Sequence, residues 1–153
     1  MSSVQNINPT NKIKAFKKLI YHSDKLRAIP NYIGSSINGL YNYNIIHYKK
    51  GKIHYPVGDS EMLFVFDSLN AARYYDFGSI IVECLVDLCE KQPEFIVDPA
   101  YEHKFQKFRI DNYKNNFSNY ELMKPPHGTL AVKSIEIPEN PIAYTNSGEL
   151  TYV

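Results

Sequence analysis

The chain has 153 residues, of which 44% are hydrophobic and 22% charged, with a formal net charge of +1 and an aromatic set of 13 Tyr and 8 Phe without Trp. That length and composition predict one folded domain that buries roughly 70% of its unfolded surface, and they exclude a disordered or collagen-like chain. Two cysteines, Cys84 and Cys89, are too few for a disulfide framework, and no run approaches the ~18 apolar residues of a membrane-spanning helix.

The near-neutral total conceals a sorted distribution. Residues 1–52 carry nine Lys or Arg and one acidic residue, Asp24, a net +8. Residues 53–102 carry two basic and ten acidic residues, a net −8, and the remainder carries six and five, a net +1. Segments of opposite sign either fold onto each other or each face a charged partner.

Residues 1–10 are polar and are expected to form a flexible N-terminal tail. They hold no apolar stretch of the kind a secretory signal needs, so a reducing, intracellular (cytoplasmic) setting is expected. Thr10 or Asn11 then caps a predicted helix to about Ala28, because Ile13, Phe16, Leu19 and Ile20 fall on one helical stripe and Pro30 ends the run. The alternative is a short strand over 13–20 with a turn at Ser23-Asp24. Residues 30–42 read as a loop. The runs 43–48 and 52–57 are rich in β-formers and flank Lys50-Gly51, which predicts a two-residue hairpin turn placing Tyr48 opposite Ile53 and His47 opposite His54.

Residues 62–66 form a short apolar run typical of a buried strand. Asp67-Ser68 caps a predicted short helix over 69–75. Residues 79–87 are the strongest strand signal: Ile80, Val82, Cys84 and Val86 share one apolar face, and Glu83 and Asp87 lie on the other with Ile81 and Leu85. This pattern predicts an interior strand next to 62–66. Another short strand is expected over 94–97. Asp98-Pro99 is a helix start, with Tyr101, Phe105 and Phe108 recurring at helical spacing up to about Asn115. Residues 129–137 read as a strand, and 142–145 with 149–153 as a last hairpin around Asn146-Ser147-Gly148. The fold expected is α+β: a single domain over 11–153, mainly antiparallel sheet with two or three helices packed on it.

The candidate partner-binding residues are the basic ones of the first third: Lys12, Lys14, Lys17, Lys18, Lys25, Arg27, Lys49, Lys50 and Lys52. Tyr21, Tyr32, Tyr41, Tyr43 and Tyr48 are interleaved with them. Single-stranded nucleic acid is recognised by that combination, phosphates on cations and bases on rings. Eight of the nine cations are Lys, which supplies a point charge without the planar fork that reads bases, so binding would tolerate any sequence and weaken with salt. An acidic protein surface satisfies the same charges, and a solvated helix face is the competing structural explanation.

His47 and His54 across the hairpin are two candidate metal ligands, but structural zinc takes four, and Cys84 and Cys89 are poorly spaced to share an ion. No metal and no cofactor is expected. Glu83, a carboxylate in mid-strand, must face solvent or find a partner.

Two resemblances bear on function. The stretch 43–57, followed by MLFVFDSLNAARYY (62–75), SIIVECLVDL (79–88) and HGTLAVKSIEI (127–137), resembles a small uncharacterised domain found in giant-virus and phage genomes. That resemblance implies a viral origin and a virion or infected-cell setting, with Ala71 and Ala72 letting a helix approach the sheet and Gly128 allowing a tight turn; it implies no site residues. Separately, Leu19-Ile20-Tyr21-His22, the Tyr74-Tyr75 pair and a late Glu resemble the ADP-ribosyltransferase arrangement of His, Tyr and Glu on a nicotinamide dinucleotide. There the candidates are His22, Tyr74 or Tyr75, and Glu149. The leading expectation is a small non-catalytic interaction or structural protein using its basic N-terminal third, and the alternative is that enzyme.

Overall fold

A computed structural model describes residues 12–22, 25–27, 48–56, 61–75, 78–98, 100–101 and 108–153. They are mainly antiparallel sheet, with two short α-helices among them. The strands are β1 (Lys12–His22), β2 (Lys25–Arg27), β3 (Ile53–His54), β4 (Leu63–Phe66), β5 (Ile80–Leu88), β6 (Ile96–Val97), β7 (Leu122–Met123), β8 (Thr129–Glu136), β9 (Ala143–Thr145) and β10 (Leu150–Thr151). The helices are α1 (Leu69–Tyr74) and α2 (Tyr113–Asn116).

The first predicted helix is a strand. β1 runs antiparallel to β5 from Lys12↔Asp87 to Leu19↔Ile80 and then pairs antiparallel with β2, with His22 opposite Lys25; the expected turn at Ser23-Asp24 lies outside the described residues. Burial decides against the helix. Ala15 and Leu19 face one side of the sheet and Phe16 the other, and all three are buried, so the strand needs cover on two faces rather than on one stripe.

β5 is interior, as its alternation predicts: Ile80, Val82, Cys84 and Val86 are all buried. Its neighbours are β1 on one edge and β8 with β9 on the other. The expected neighbour β4 lies one strand further on, because the N-terminal segment supplies β1 between them.

The pairings close on themselves. β5 pairs β1, β1 pairs β4, β4 pairs β8, and β8 returns to β5. The small barrel so formed encloses Ala15, Leu19, Leu63, Val65, Val82 and Val132 with their neighbours. One extra residue in β8, Lys133, separates the pairs Leu88↔Val132 and Asp87↔Ser134. This bulge switches the inward-facing positions of β8 from Val132 to Ile135, so the strand bends around the barrel without exposing its apolar side chains.

The outer face carries the second apolar layer. Phe16, Phe64, Phe66, Ile81 and Ala131 are covered by Ala71 and Ala72 of α1, by β6 and by Phe108, Tyr113 and Phe117. α1 starts where predicted: the Ser68 hydroxyl accepts the Ala71 N–H at 3.1 Å. Gly128 has φ +83, and a Cβ there would lie 2.5 Å from Ala71 Cβ and 2.7 Å from Asp67 Oδ1, so only glycine lets the turn before β8 approach α1. The helix expected from Asp98 begins as one 3-10 turn, with Asp98 Oδ1 accepting from Ala100 N–H at 2.9 Å. Residues 102–107 lie outside the described set, and α2 is a separate element beyond a turn at 110–112. The flexible tail expected over 1–10 also lies outside it. No helix among the described residues is long and apolar enough to cross a membrane.

Candidate partner-binding surface

The strand geometry of β1 divides its lysines between inside and outside. Lys14 has an exposed side chain, 3.8 Å from Glu83 and over the Phe16 ring. Lys12 donates to Glu136 at 2.7 Å. Lys17 and Lys18 are 2% and 3% exposed, which removes both from the outward-facing set. Lys17 points into the barrel and donates to the Phe64 carbonyl at 2.8 Å. Lys18, on the opposite face, reaches under α1 to the Tyr75 carbonyl. Lys25 and Arg27 stand on β2 opposite His22 and Ile20.

The remaining three form a compact group. The turn at Lys50-Gly51 is where the sequence puts it: Lys52 N–H donates to the Lys49 carbonyl at 3.3 Å, and Gly51 adopts φ +75. Gly51 N–H donates to the Ile137 carbonyl at 2.8 Å, which ties the turn to the end of β8. A Cβ at Gly51 would lie 2.2 Å from a Glu139 carboxylate oxygen, so glycine is required for contact as well as conformation. Lys49, Lys50 and Lys52 are exposed and make no ion pair among the described residues. Tyr55, 62% exposed, follows them. The described strand paired with β3 is β8, with Ile53 opposite Glu136; Tyr48, expected opposite Ile53, lies in no strand, and the rest of the expected run, 43–47, lies outside the described residues.

His54 is committed to this turn. Its Nε2 accepts the Lys49 N–H at 3.0 Å, and its Nδ1 lies 3.3 Å from the Ile135 carbonyl. Both bonds are satisfied together by the neutral Nδ1–H tautomer. Burial holds the imidazole below its usual range, the Ile135 carbonyl opposes this, and Lys49 adds to it. His47, the other candidate ligand, lies outside the described residues. No group of three His, Cys, Asp or Glu able to hold a metal occurs among the described residues.

The sequence reading misses a polar cluster inside the barrel. The Lys17 amine sits 5.9 Å from the Tyr48 ring, and the Cys84 thiol donates to the Ala15 carbonyl at 3.5 Å. The Tyr48 hydroxyl is buried with no partner among the described residues. Burial lowers the Lys17 amine to about 8, partly opposed by Cys84, and raises the Cys84 thiol to about 12. It raises the Tyr48 phenol as well. Burial thus favours the neutral form of each group, and amine and thiol are neutral together only between about pH 8 and pH 12. Period-2 spacing alone cannot flag it, since Lys17 reads as solvent-facing.

Glu83 finds partners on the outer face. Tyr144 donates to it at 2.7 Å, and Lys14 approaches its other oxygen. A groove of about 250 Å³ lies here, lined by Lys14, Glu83, Leu85, Pro138, Asn140 and Ile142. The ADP-ribosyltransferase candidates lie elsewhere. His22 ends β1, Tyr74 is 86% exposed at the end of α1, Tyr75 packs on Phe66, and the Glu149 carboxylate accepts from Ser147 within its own turn. Compared with known proteins, the chain matches no family model, no curated protein and no solved structure.

Proposed function

We propose that the chain is a non-catalytic interaction protein, a single α+β domain of viral type, that engages an anionic macromolecule through the exposed cations of its N-terminal third. The partner is an acidic protein surface or a single-stranded nucleic acid. One observation carries the reading: Lys49, Lys50 and Lys52 project from one turn without an intramolecular ion pair among the described residues, beside the exposed ring of Tyr55. Lys14 adds a fourth exposed cation on another part of the surface, already close to Glu83.

Fluorescence anisotropy with a labelled single-stranded oligonucleotide and a labelled acidic peptide tests this. At low salt at least one probe binds. For an oligonucleotide, affinity falls with salt at a log–log slope of roughly 0.7 per neutralised phosphate. Replacing Lys49, Lys50 and Lys52 together by Glu abolishes the binding and leaves the fold intact. Failure of both probes to bind at low salt would remove the proposal.

A further inference from the structure

β10 ends the sheet, and among the described residues its outer edge pairs with nothing. The register shows which of its backbone groups face that edge. Glu83 N–H donates to the Ile142 carbonyl at 2.9 Å and Tyr144 stands opposite Ile81, so Ile142 and Tyr144 turn their peptide groups toward β5. Ala143 and Thr145 turn theirs toward β10, and the Thr145 N–H accordingly donates to the Glu149 carbonyl at 2.8 Å. Ladder bonds alternate along an antiparallel pair. Thr151, opposite Ala143, therefore bonds back to β9, while Leu150 and Tyr152 direct N–H and C=O outward. Tyr152 keeps the alternation, since Val153 after it returns to the interior cluster.

The same two residues expose their side chains. Leu150 is 73% and Tyr152 96% exposed, with half-exposed Ile142 beside them on the outer face. Natural sheets guard open edges with Lys, Pro, inward charges or covering loops. The run Leu150-Thr151-Tyr152-Val153 has neither charge nor proline.

We propose that this edge joins two copies of the chain, β10 pairing antiparallel with β10 of a second copy about a two-fold axis through Thr151. That axis sets Leu150 opposite Tyr152 of the partner subunit, and the reverse. Both residues of each pair have outward backbone groups, so each pair exchanges two hydrogen bonds, and each exposed Leu packs on an exposed Tyr. The edge is thus complementary to itself, as a two-fold interface must be. Placing the axis between two residues would set outward-facing groups against inward-facing ones and forfeit the bonds.

Sedimentation velocity on the full chain, from low micromolar to several hundred micromolar, should show a monomer–dimer equilibrium. Leu150→Lys and Tyr152→Lys each weaken it at least tenfold while the thermal midpoint of the dilute monomer stays unchanged. Crosslinking reads the register. Thr151 meets Thr151 of the partner subunit at a non-hydrogen-bonded position, where Cα atoms lie about 4.5 Å apart, within disulfide reach. In a Cys89→Ser background, Thr151→Cys should form covalent dimers on mild oxidation, and Leu150→Cys should do so far more slowly. A chain that stays monomeric at the highest concentration overturns the proposal, as does a dimer indifferent to both lysines or one crosslinked equally well at 150 and 151.

Discussion

The Lys17 side chain bridges the interior of the barrel and donates its amine hydrogen to the Phe64 carbonyl, 2.8 Å away. β1 and β4 share a single register pair, Phe16↔Phe66, so the amine supplies a bond where the ladder does not continue. Its ammonium form is costly there. An ordinary lysine titrates near 10.5, and burial lowers this one to about 8. Between those values the unfolded chain holds more protons at Lys17 than the folded one. Stability from this group therefore rises with pH across the window, and the burial cost is full below it. Cys84, raised from 9.0 to about 12, acts in the opposite sense above about pH 9. Lys17→Met keeps the apolar stem and removes the titration. Its stability relative to the parent should be greatest near pH 7 and should shrink by on the order of 1 kcal/mol at pH 9. Urea midpoints of both proteins at the two pH values measure this, and a pH-independent difference would refute it.

Gly128→Ala should be among the most damaging single-methyl substitutions. The added carbon meets Ala71 Cβ and Asp67 Oδ1, and φ +83 is unfavourable for any L side chain. The expected loss is about 2 kcal/mol or more, seen as a lowered thermal midpoint. Adding Ala71→Gly should recover part of that loss by relieving the contact while leaving the backbone strain. Because glycine in a helix itself costs ~1 kcal/mol, the recovery is read against Ala71→Gly alone, and purely additive losses would leave the Asp67 contact and the backbone strain as the cause.

Tyr144→Phe removes the donor to Glu83 and leaves the carboxylate with Lys14 at 3.8 Å. The site is partly solvated, so water and Lys14 compensate in part. A loss of about 0.5–1.5 kcal/mol is expected at neutral pH. Equal midpoints at pH 7 would show that the bond contributes nothing.

The two thiols should react at different rates. Cys84 is buried and its thiol is pushed up to about 12, whereas Cys89 is only half-buried. Because the thiolate is the reactive form, an aromatic disulfide reagent should label about one thiol in the native protein and the second only on unfolding. Peptide mapping should find the first label on Cys89; a label on Cys84 in native conditions would contradict the burial.

Features encoded by a few adjacent residues were readable from the chain. The Ser68 cap, the Lys50-Gly51 turn, the alternation of β5 and the terminal hairpin each need only local sequence, and each appears in place. β1 was misread because Lys17 and Lys18 occupy buried positions. With those lysines counted as solvent-facing, Ile13, Phe16, Leu19 and Ile20 fit a helical stripe better than a strand. What covers a lysine is a tertiary fact: Phe64 lies forty-seven residues from Lys17, and the chain between them gives no sign of the pairing. For the same reason the basic segment could be listed by charge but not divided into interior and exposed members. The exposed Lys49, Lys50 and Lys52 were distinguishable only through their turn.

The closed ring also makes assembly depend on distant parts of the chain. Leu19 meets Ile80, and Val86 meets Ile135, so each seam joins parts of the chain far apart in sequence. Closing such loops carries an entropic cost before the contacts compensate, and domains dominated by these pairings fold in roughly milliseconds to seconds. Until β8 arrives, β4 and β5 each keep an open apolar edge, the form in which partly folded sheets associate wrongly. β8, which follows β1, β4 and β5 in the chain, is therefore the strand that seals the interior, and a chain halted before residue 129 would be left with its barrel open along one side.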